Sequence, residues 1–194
     1  MGQYYLIANM NKMELLCVNG KHPGLKLLEI AANKNDSLAL INQMAESWKG
    51  DSVFLIGDYA DLSSDDVTYF KTLQIWTDKL HLNDSLYNYV RDNFKNVEGD
   101  IADKEYRFLY NHDKKVYIDL LHIPTSKEST YEKTFYFSPL PLLIAMGNGR
   151  GGGDYLLRNN DEFVGSWCDS IPSVEITKEP KDEFGYLEFH PDFS

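Results

Sequence analysis

Apolar residues recur along the chain with two different spacings, and these spacings predict its secondary structure. Near the start, the apolar stretches QYYLIAN and MELLCVN flank a polar turn at Asn9–Lys12. A second pair, YRFLYN and KVYIDLLHI, flanks HDK, with Asn111 and Lys114 at the turn. Short apolar runs separated by turns that contain Asn are typical of β-hairpins. The sequence therefore predicts two hairpins, which are either a duplicated unit or two independent hairpins that obey the same turn chemistry.

Between the hairpins, apolar residues recur every three or four positions, which is the spacing of amphipathic helices. The first predicted helix is SLALINQMAESW, with Asp36 as its N-cap. The second opens at a capping box formed by Ser63 and Asp66. The third begins at Asn83 or Asp84 and has one apolar side, made of Leu86, Val90 and Phe94. These stripes are typical of core packing, not of a cofactor site.

The remaining apolar runs are short and predict strands. SVFLIG, at positions 52–57, predicts a buried strand, and the tail offers FVGSWCDSI, SVEIT and GYLEFH. Because strands lie at both ends and helices in the middle, we expect an α+β fold. It has a mainly antiparallel sheet built from hairpins, with about three helices grouped in the middle of the chain. The length of 194 residues and the 43% hydrophobic content predict a single globular domain spanning 1–194.

Charge narrows the classes of function. The net charge of −11 excludes unaided nucleic-acid binding, which needs clustered Lys and Arg, and favours a basic partner. From Asp154 onward, ten acidic residues stand against three basic ones. The alternative is that this acidity only maintains solubility. Since the chain has no apolar run of roughly 20 residues and no secretory leader, and Cys17 and Cys168 lack metal-ligand spacing, we expect a cytoplasmic protein without membrane contact.

Motifs for metal binding or catalysis are absent from the sequence. Asp51, Asp58 and Asp61 cluster around one predicted strand, but that strand holds Asp51 and Asp58 about 20 Å apart. A nucleophilic pair of Cys17 with His22 or His112 forms only if the fold brings the two together. The histidines are scattered, at His22, His81, His112, His122 and His190. We therefore predict no catalytic residue, no metal and no cofactor.

The stretch MGNGRGGGDY, at positions 146–155, packs five glycines around Arg150. It lacks the Lys of a phosphate-binding P-loop. A dinucleotide fingerprint requires an amphipathic helix after the glycines, and the sequence that follows does not predict one. One interpretation is a tight turn in which a carboxylate such as Asp58 or Asp154 holds Arg150 and glycines let the backbone approach Trp167. The other is a site for a nucleotide or phosphorylated metabolite, formed by Asp58, Gly149, Arg150, Gly151 and Gly152.

Two segments, WKGDSVFLIGDYAD and SPLPLLIAMGNGRGGGDY, resemble the signature of a group of small, mostly bacterial proteins without an assigned activity. The likeness extends to YYLIANMNK and VGSWCDSI, so it covers most of the chain. In size, acidity and lack of catalytic motifs, the chain is also similar to immunity proteins of contact-dependent growth inhibition and other polymorphic toxin systems. This second resemblance implies that the protein neutralises a toxin.

These observations predict an acidic protein that binds a partner, and they favour this class over an enzyme. It blocks a basic partner, a nuclease-type toxin domain, by steric and electrostatic occlusion. The predicted contact residues combine carboxylates with two aromatic anchors: Asp154, Tyr155, Asp161, Glu162, Glu179, Asp182, Glu183 and Phe184. The alternative function is binding of a small phosphorylated ligand at the glycine-rich turn.

Overall fold

The computed structural model describes residues 3–22, 24–60, 85–123, 126–128, 133–135, 137–147, 163–181 and 185–191. Its helices are α1 Leu27–Ala32, α2 Lys34–Ala45, α3 Leu86–Asn93 and α4 Pro139–Leu143. Its strands are β1 Tyr5–Asn9, β2 Glu14–Cys17, β3 Val53–Gly57, β4 Lys95–Glu98, β5 Phe108–Asn111, β6 Val116–Asp119, β7 Ser126–Glu128, β8 Lys133–Phe135, β9 Ala145–Met146, β10 Val174–Thr177 and β11 Leu187–Glu188. The helix predicted to open at Ser63 lies outside the described residues.

The first sheet has the strand order β4-β2-β1-β3-β9. β1 is antiparallel to both of its neighbours, whereas β4 and β9 join the two sides as parallel strands. Every residue of β1 and β3 is buried, so both faces of the centre of this sheet are covered. Helix α3 packs against β1 and β3. Such double-sided burial explains why SVFLIG is a continuous apolar run.

The second sheet has the order β10-β5-β6-β11, with only β11 parallel to its neighbour. Helix α2 contacts β10, and the buried apolar residues of the two sheets belong to one hydrophobic cluster. β7 and β8 form a separate antiparallel ribbon. The predicted α+β class is confirmed, and the sheets are mixed because parallel strands are added at their edges.

The two sheets repeat one topology. The first unit is β1-β2-β3-β4 and the second unit is β5-β6-β10-β11, and each follows the spatial order fourth-second-first-third. Asn9 ends β1 and pairs with the first residues of β2 and β3, while Asn111 ends β5 and pairs with the first residues of β6 and β10. In both units, the first residues of the second and fourth strands also pair. This shared register favours the duplicated unit over two independent hairpins.

The turns of both predicted hairpins are confirmed and are organised by the same side chain. Asn9 Oδ1 accepts hydrogen bonds from the backbone N–H groups of Asn11 and Lys12, at 2.9 and 3.0 Å. Asn111 Oδ1 accepts one from the N–H of Lys114 at 3.1 Å. Both asparagines are fully buried. Asn is suited to this position because its short amide can fold back onto the backbone of the turn.

Two predicted helices are present with different caps. α2 begins at Lys34 because Asn33, not Asp36, accepts hydrogen bonds from the first-turn N–H groups. Asp36 instead lies buried within the first turn. α3 is capped by Ser85, and its predicted apolar side is buried, at Leu86, Val90 and Phe94. Several good capping residues stand in a row before each helix, so the sequence alone does not select one.

Helices α1 and α4 were not predicted from the sequence. All five residues of α4 are buried, which removes the polar face that marks an amphipathic helix. Among the described helices, none combines the length and apolar composition that crossing a bilayer requires.

Candidate functional site

The predicted contact and ligand-binding residues are only partly described. Asp58 and Glu179 lie within the described chain. The others lie outside it: Asp154, Tyr155, Asp161, Glu162, Asp182, Glu183 and Phe184, with Gly149, Arg150, Gly151 and Gly152. Glu179 is exposed, and its carboxylate forms no salt bridge with a residue that the structure describes. Its role as a contact with a partner stays a prediction.

The two segments that carry the sequence resemblance meet in the first sheet. Their strands, β3 and β9, run parallel and side by side, with Leu55 opposite Ala145 and Ile56 opposite Met146. The carboxyl ends of both strands therefore lie at the same end of the sheet. The GDYAD stretch leaves β3 there, and the glycine-rich stretch leaves β9 next to it. The register thus places Asp58 beside the start of the glycine-rich stretch.

Glycine is needed at this edge because the chain segments approach too closely for a side chain. A Cβ on Gly57 would lie 1.9 Å from Gln3 Nε2. A Cβ on Gly147 would lie 2.6 Å from the same nitrogen and 3.0 Å from the backbone N of Ala60, and Gly147 has φ +91°. The first glycine of the run therefore serves as scaffolding. The predicted pairing of Arg150 with a carboxylate stays a prediction.

The sequence predicts that glycines let the backbone approach Trp167, and the described chain shows such an approach next to Trp167 itself. Trp167 is 1% exposed, and its backbone N–H donates to the Leu143 carbonyl at 2.9 Å. Gly165 makes this approach possible, since a Cβ there would lie 2.6 Å from the Ala145 carbonyl oxygen. The glycine that admits Trp167 to the α4–β9 segment is thus Gly165.

Asp58 has three tyrosine residues as neighbours, in the chain or in space. Its Oδ1 accepts a hydrogen bond from the Tyr4 backbone N–H at 3.2 Å, and it forms no salt bridge with any described residue. Tyr4 is 45% exposed and Tyr59 is 41% exposed. Tyr87, on α3, is half-buried, and burial followed by the nearby Asp58 charge raises its pKa. We call these four residues, Tyr4, Asp58, Tyr59 and Tyr87, the Asp58 edge.

Carboxylates of the acidic tail that lie on the second sheet are neutralised by the chain itself. Glu175, on β10, binds Lys49 Nζ at 2.9 Å, His112 Nε2 at 3.0 Å and also Lys181. Burial alone would raise the pKa of Glu175, but the hydrogen bonds from these three partners lower it to about 2. Asp169 likewise pairs with Lys114 at 3.1 Å. The count of acidic residues in the tail therefore overstates the charge that a partner would meet there.

The tail segment that contains three predicted contact residues is anchored on both sides to this sheet. Before it, the backbone N–H of Lys181 donates to the Tyr110 hydroxyl at 2.8 Å. After it, the Tyr186 ring packs edge-on against Tyr110 at 5.9 Å, and its hydroxyl lies 2.7 Å from His112 Nδ1. The anchors fix where Asp182, Glu183 and Phe184 join the described chain.

Of the two pairings that the sequence left open for Cys17, the fold brings together the one with His22 and not the one with His112. Cys17 Sγ lies 3.3 Å from His22 Nδ1, whereas His112 is bonded to Tyr186 and Glu175. Burial, and then the negative charge of Glu98, raise the pKa of the Cys17 thiol. Since the thiolate is the nucleophile, this environment disfavours catalysis by Cys17.

One group of ligand-type side chains was missed by the sequence analysis. Asp119, His122 and Glu188 offer ligand atoms that all lie within 4.8 Å of one another, and they are the only such group among the described residues. Arg107 binds both oxygens of Asp119 and lowers its pKa, while the hydrogen bond with Glu188 raises the pKa of His122. A separation of 66 residues between His122 and Glu188 hides this group from motif searches.

Comparison with protein-family models, with curated proteins and with solved structures finds no match. Function is therefore inferred from geometry and charge alone. Of the arrangements described, the Asp58 edge combines two exposed tyrosines with a carboxylate that forms no salt bridge to a described residue, and it lies next to the paired strands of both resemblance segments.

Proposed function

We propose that this protein captures a cationic protein partner, a nuclease-type toxin domain, and blocks its active site as an immunity protein does. The observation that carries the proposal is the Asp58 edge, where a carboxylate without a salt bridge to any described residue neighbours three tyrosine residues, two of them well exposed. Tyrosine is enriched among the few residues that dominate binding energy at interfaces. A carboxylate between them provides electrostatic selection for a cationic partner.

The charge of the adjoining segments supports the same partner. The sequence places Asp61, Asp65 and Asp66 shortly after β3, and Asp154 with Tyr155 shortly after β9. These acidic residues make the segments that follow the two strands in sequence negatively charged. A negative surface steers a basic domain toward it and repels phosphate. The remaining predicted contacts, Glu179 and the tail acids around it, extend this proposal.

The partner to test is a basic domain encoded next to the gene for this chain, at the C-terminus of a large secreted protein. Binding of the purified domain is measured by surface plasmon resonance at several salt concentrations. Tyr59→Ala removes an exposed ring and should weaken binding by about 30-fold, the size of an interface hot spot. Asp58→Asn should slow association and reduce its dependence on salt.

Asp113→Asn is the matched control, because it removes one exposed carboxylate from the turn of the second hairpin. It should leave binding nearly unchanged. An association rate that is indifferent to ionic strength, or equal losses for Asp58→Asn and Asp113→Asn, would count against capture at the Asp58 edge. As part of this proposal the protein acts in the cytoplasm, where its two free cysteines stay reduced.

A second candidate function is binding of a nucleotide or phosphorylated metabolite. The observation that favours it is that the glycine-rich stretch follows β9, whose carboxyl end lies beside that of the parallel strand β3. In open α/β sheets, ligands bind at such ends. A thermal-shift screen with nucleotides and sugar phosphates tests this function, since a saturating ligand stabilises a protein by a few kcal/mol. The absence of any shift across the panel would reject it.

A further inference from the structure

Four side chains with metal-binding groups converge at the open edge of the second sheet. Asp119 ends β6, His122 follows in the next turn, and Glu188 lies on the neighbouring parallel strand β11. His122 Nδ1 lies 2.5 Å from Glu188 Oε1 and 3.8 Å from Asp119 Oδ2. The ligands of a tetrahedral zinc ion lie about 3.4 Å apart, because each bond is about 2.0–2.1 Å long. The observed separations bracket that value.

His190 adds a fourth donor next to these three. It stands two residues after Glu188, so the extended backbone directs both side chains to one face. His190 Nε2 lies 3.9 Å from Glu188 Oε1, and the rings of His122 and His190 are 6.4 Å apart. The two histidine side chains are 54% and 59% exposed, so an ion reaches the cluster directly from solvent.

The repeated topology provides an internal comparison for this cluster. Asp119 is the last residue of the second strand in its unit, and its equivalent in the first unit is Cys17. By the same count, Gly20 stands where His122 does. The second residue of the fourth strand is Glu188 in one unit and Asn96 in the other. The first unit therefore carries none of these three side chains at the equivalent positions, although Glu98 binds the Gly20 N–H and His22 lies beside Cys17 there.

We propose that Asp119, His122, Glu188 and His190 form a binding site for a divalent transition-metal ion, with zinc as the best match. Two imidazoles and two carboxylates suit zinc and its neighbours in the first transition series. Calcium and magnesium are disfavoured because they take oxygen ligands almost exclusively. This site is independent of the Asp58 edge and of the proposed capture of a toxin.

Arg107 has a defined role in this site. Its guanidinium donates to Asp119 Oδ1 at 2.7 Å and to Oδ2 at 2.5 Å, which fixes the orientation of that carboxylate. Each carboxylate oxygen has two lone pairs, so Oδ2 keeps one for an ion on the side of His122. A cationic neighbour also weakens metal affinity, so Glu188 and the two histidines are the dominant ligands.

Zinc titration of the full-length, metal-free protein tests the proposal. Competition with a chromogenic chelator gives the stoichiometry and dissociation constant, and Co²⁺ serves as an optical probe of coordination. We expect one ion per chain. Glu188→Gln and His190→Gln should each weaken binding by about tenfold or more, the effect typical of losing a metal-site residue. His190 is exposed, so its variant keeps the test valid if Glu188→Gln does not fold.

Cys17→Ala is the matched control, because Cys17 occupies the position equivalent to Asp119 and lies beside His22. This variant should bind zinc as the parent protein does. Loss of zinc binding in Cys17→Ala, with full binding kept in His190→Gln, would assign the ion to the first unit and overturn the proposal. Failure of the parent protein to bind zinc or Co²⁺ stoichiometrically would overturn it as well.

Discussion

Gly147 and Gly185 have nearly the same φ angle but different surroundings. Their φ angles are +91° and +96°, a region that side chains rarely adopt. A Cβ on Gly185 meets nothing within 4 Å, whereas a Cβ on Gly147 would meet Gln3 and the backbone of Ala60. Substitutions at the two positions therefore separate the free-energy cost of the backbone conformation from the free-energy cost of close packing.

Substitution of these glycines measures that difference. Gly185→Ala should lower the free energy of unfolding by about 1–3 kcal/mol, the cost of holding a side chain in a sparsely populated conformation. Gly147→Ala should cost about 1–3 kcal/mol more, because the added methyl group also overpacks the edge of the sheet. Urea unfolding of both variants measures the two values. Equal losses of stability would show that the structure around Gly147 adjusts to the added methyl group and that close packing does not require glycine there.

At the scale of elements, the same hairpin is built twice around one buried asparagine. The amide nitrogen of Asn9 donates to Asp51 Oδ2 at 2.8 Å, and that of Asn111 donates to Ser170 Oγ at 2.8 Å. Each amide therefore joins the turn of its hairpin to a segment beside it. The partners differ, but the geometry of the turn is retained.

Truncation of either asparagine should destabilise the protein by a similar amount. Asn9→Ala and Asn111→Ala each remove a buried amide and leave its remaining hydrogen-bond partners unsatisfied, which costs about 1–3 kcal/mol. Asn88→Ala, on the exposed surface of α3, is the control and should change stability by less than about 0.5 kcal/mol. Chemical denaturation provides the measurement. A large loss for one turn asparagine with none for the other would contradict the equivalence of the two units.

At the scale of the whole molecule, Glu175 links segments that are distant in sequence. Lys49 follows α2, Glu175 lies on β10 of the second sheet, and Lys181 belongs to the tail. Hydrogen bonds from these lysines and from His112 keep the pKa of Glu175 at about 2 despite its burial. An ion pair of this kind stabilises the folded state only while the carboxylate is charged.

The pH dependence follows from the sign of that shift. The folded pKa of about 2 lies below the ordinary value of 4.5, so the stabilisation is complete above about pH 4.5 and is lost as pH falls toward 2. Glu175→Gln should lower stability at pH 7 and flatten its decline in acid. Glu179→Gln, an exposed neighbour without a described salt bridge, should follow the parent curve. Thermal unfolding from pH 7 to pH 2 tests this, and parallel curves for the parent and Glu175→Gln would contradict it.

The sequence by itself determined the features that depend on neighbouring residues. The hairpin turns at Asn9 and Asn111, the buried strand SVFLIG, the apolar side of α3 and the α+β class were all predictable. Each depends on residues a few positions apart, because side-chain periodicity and turn chemistry act over that distance. Helix starts were less predictable, since Asn33 and Ser85 compete with equally good caps nearby.

Tertiary structure alone decided which distant segments meet. Three features join residues from separate parts of the chain. They are the parallel addition of β4, β9 and β11, the proximity of Tyr87 to Asp58, and the convergence of His122 with Glu188. The pairing of Glu175 with three basic groups, and the lack of a salt bridge from Asp58 to any described residue, were decided in the same way. The physical reason is that strand register and side-chain pairing depend on packing across the whole core, which no local pattern encodes.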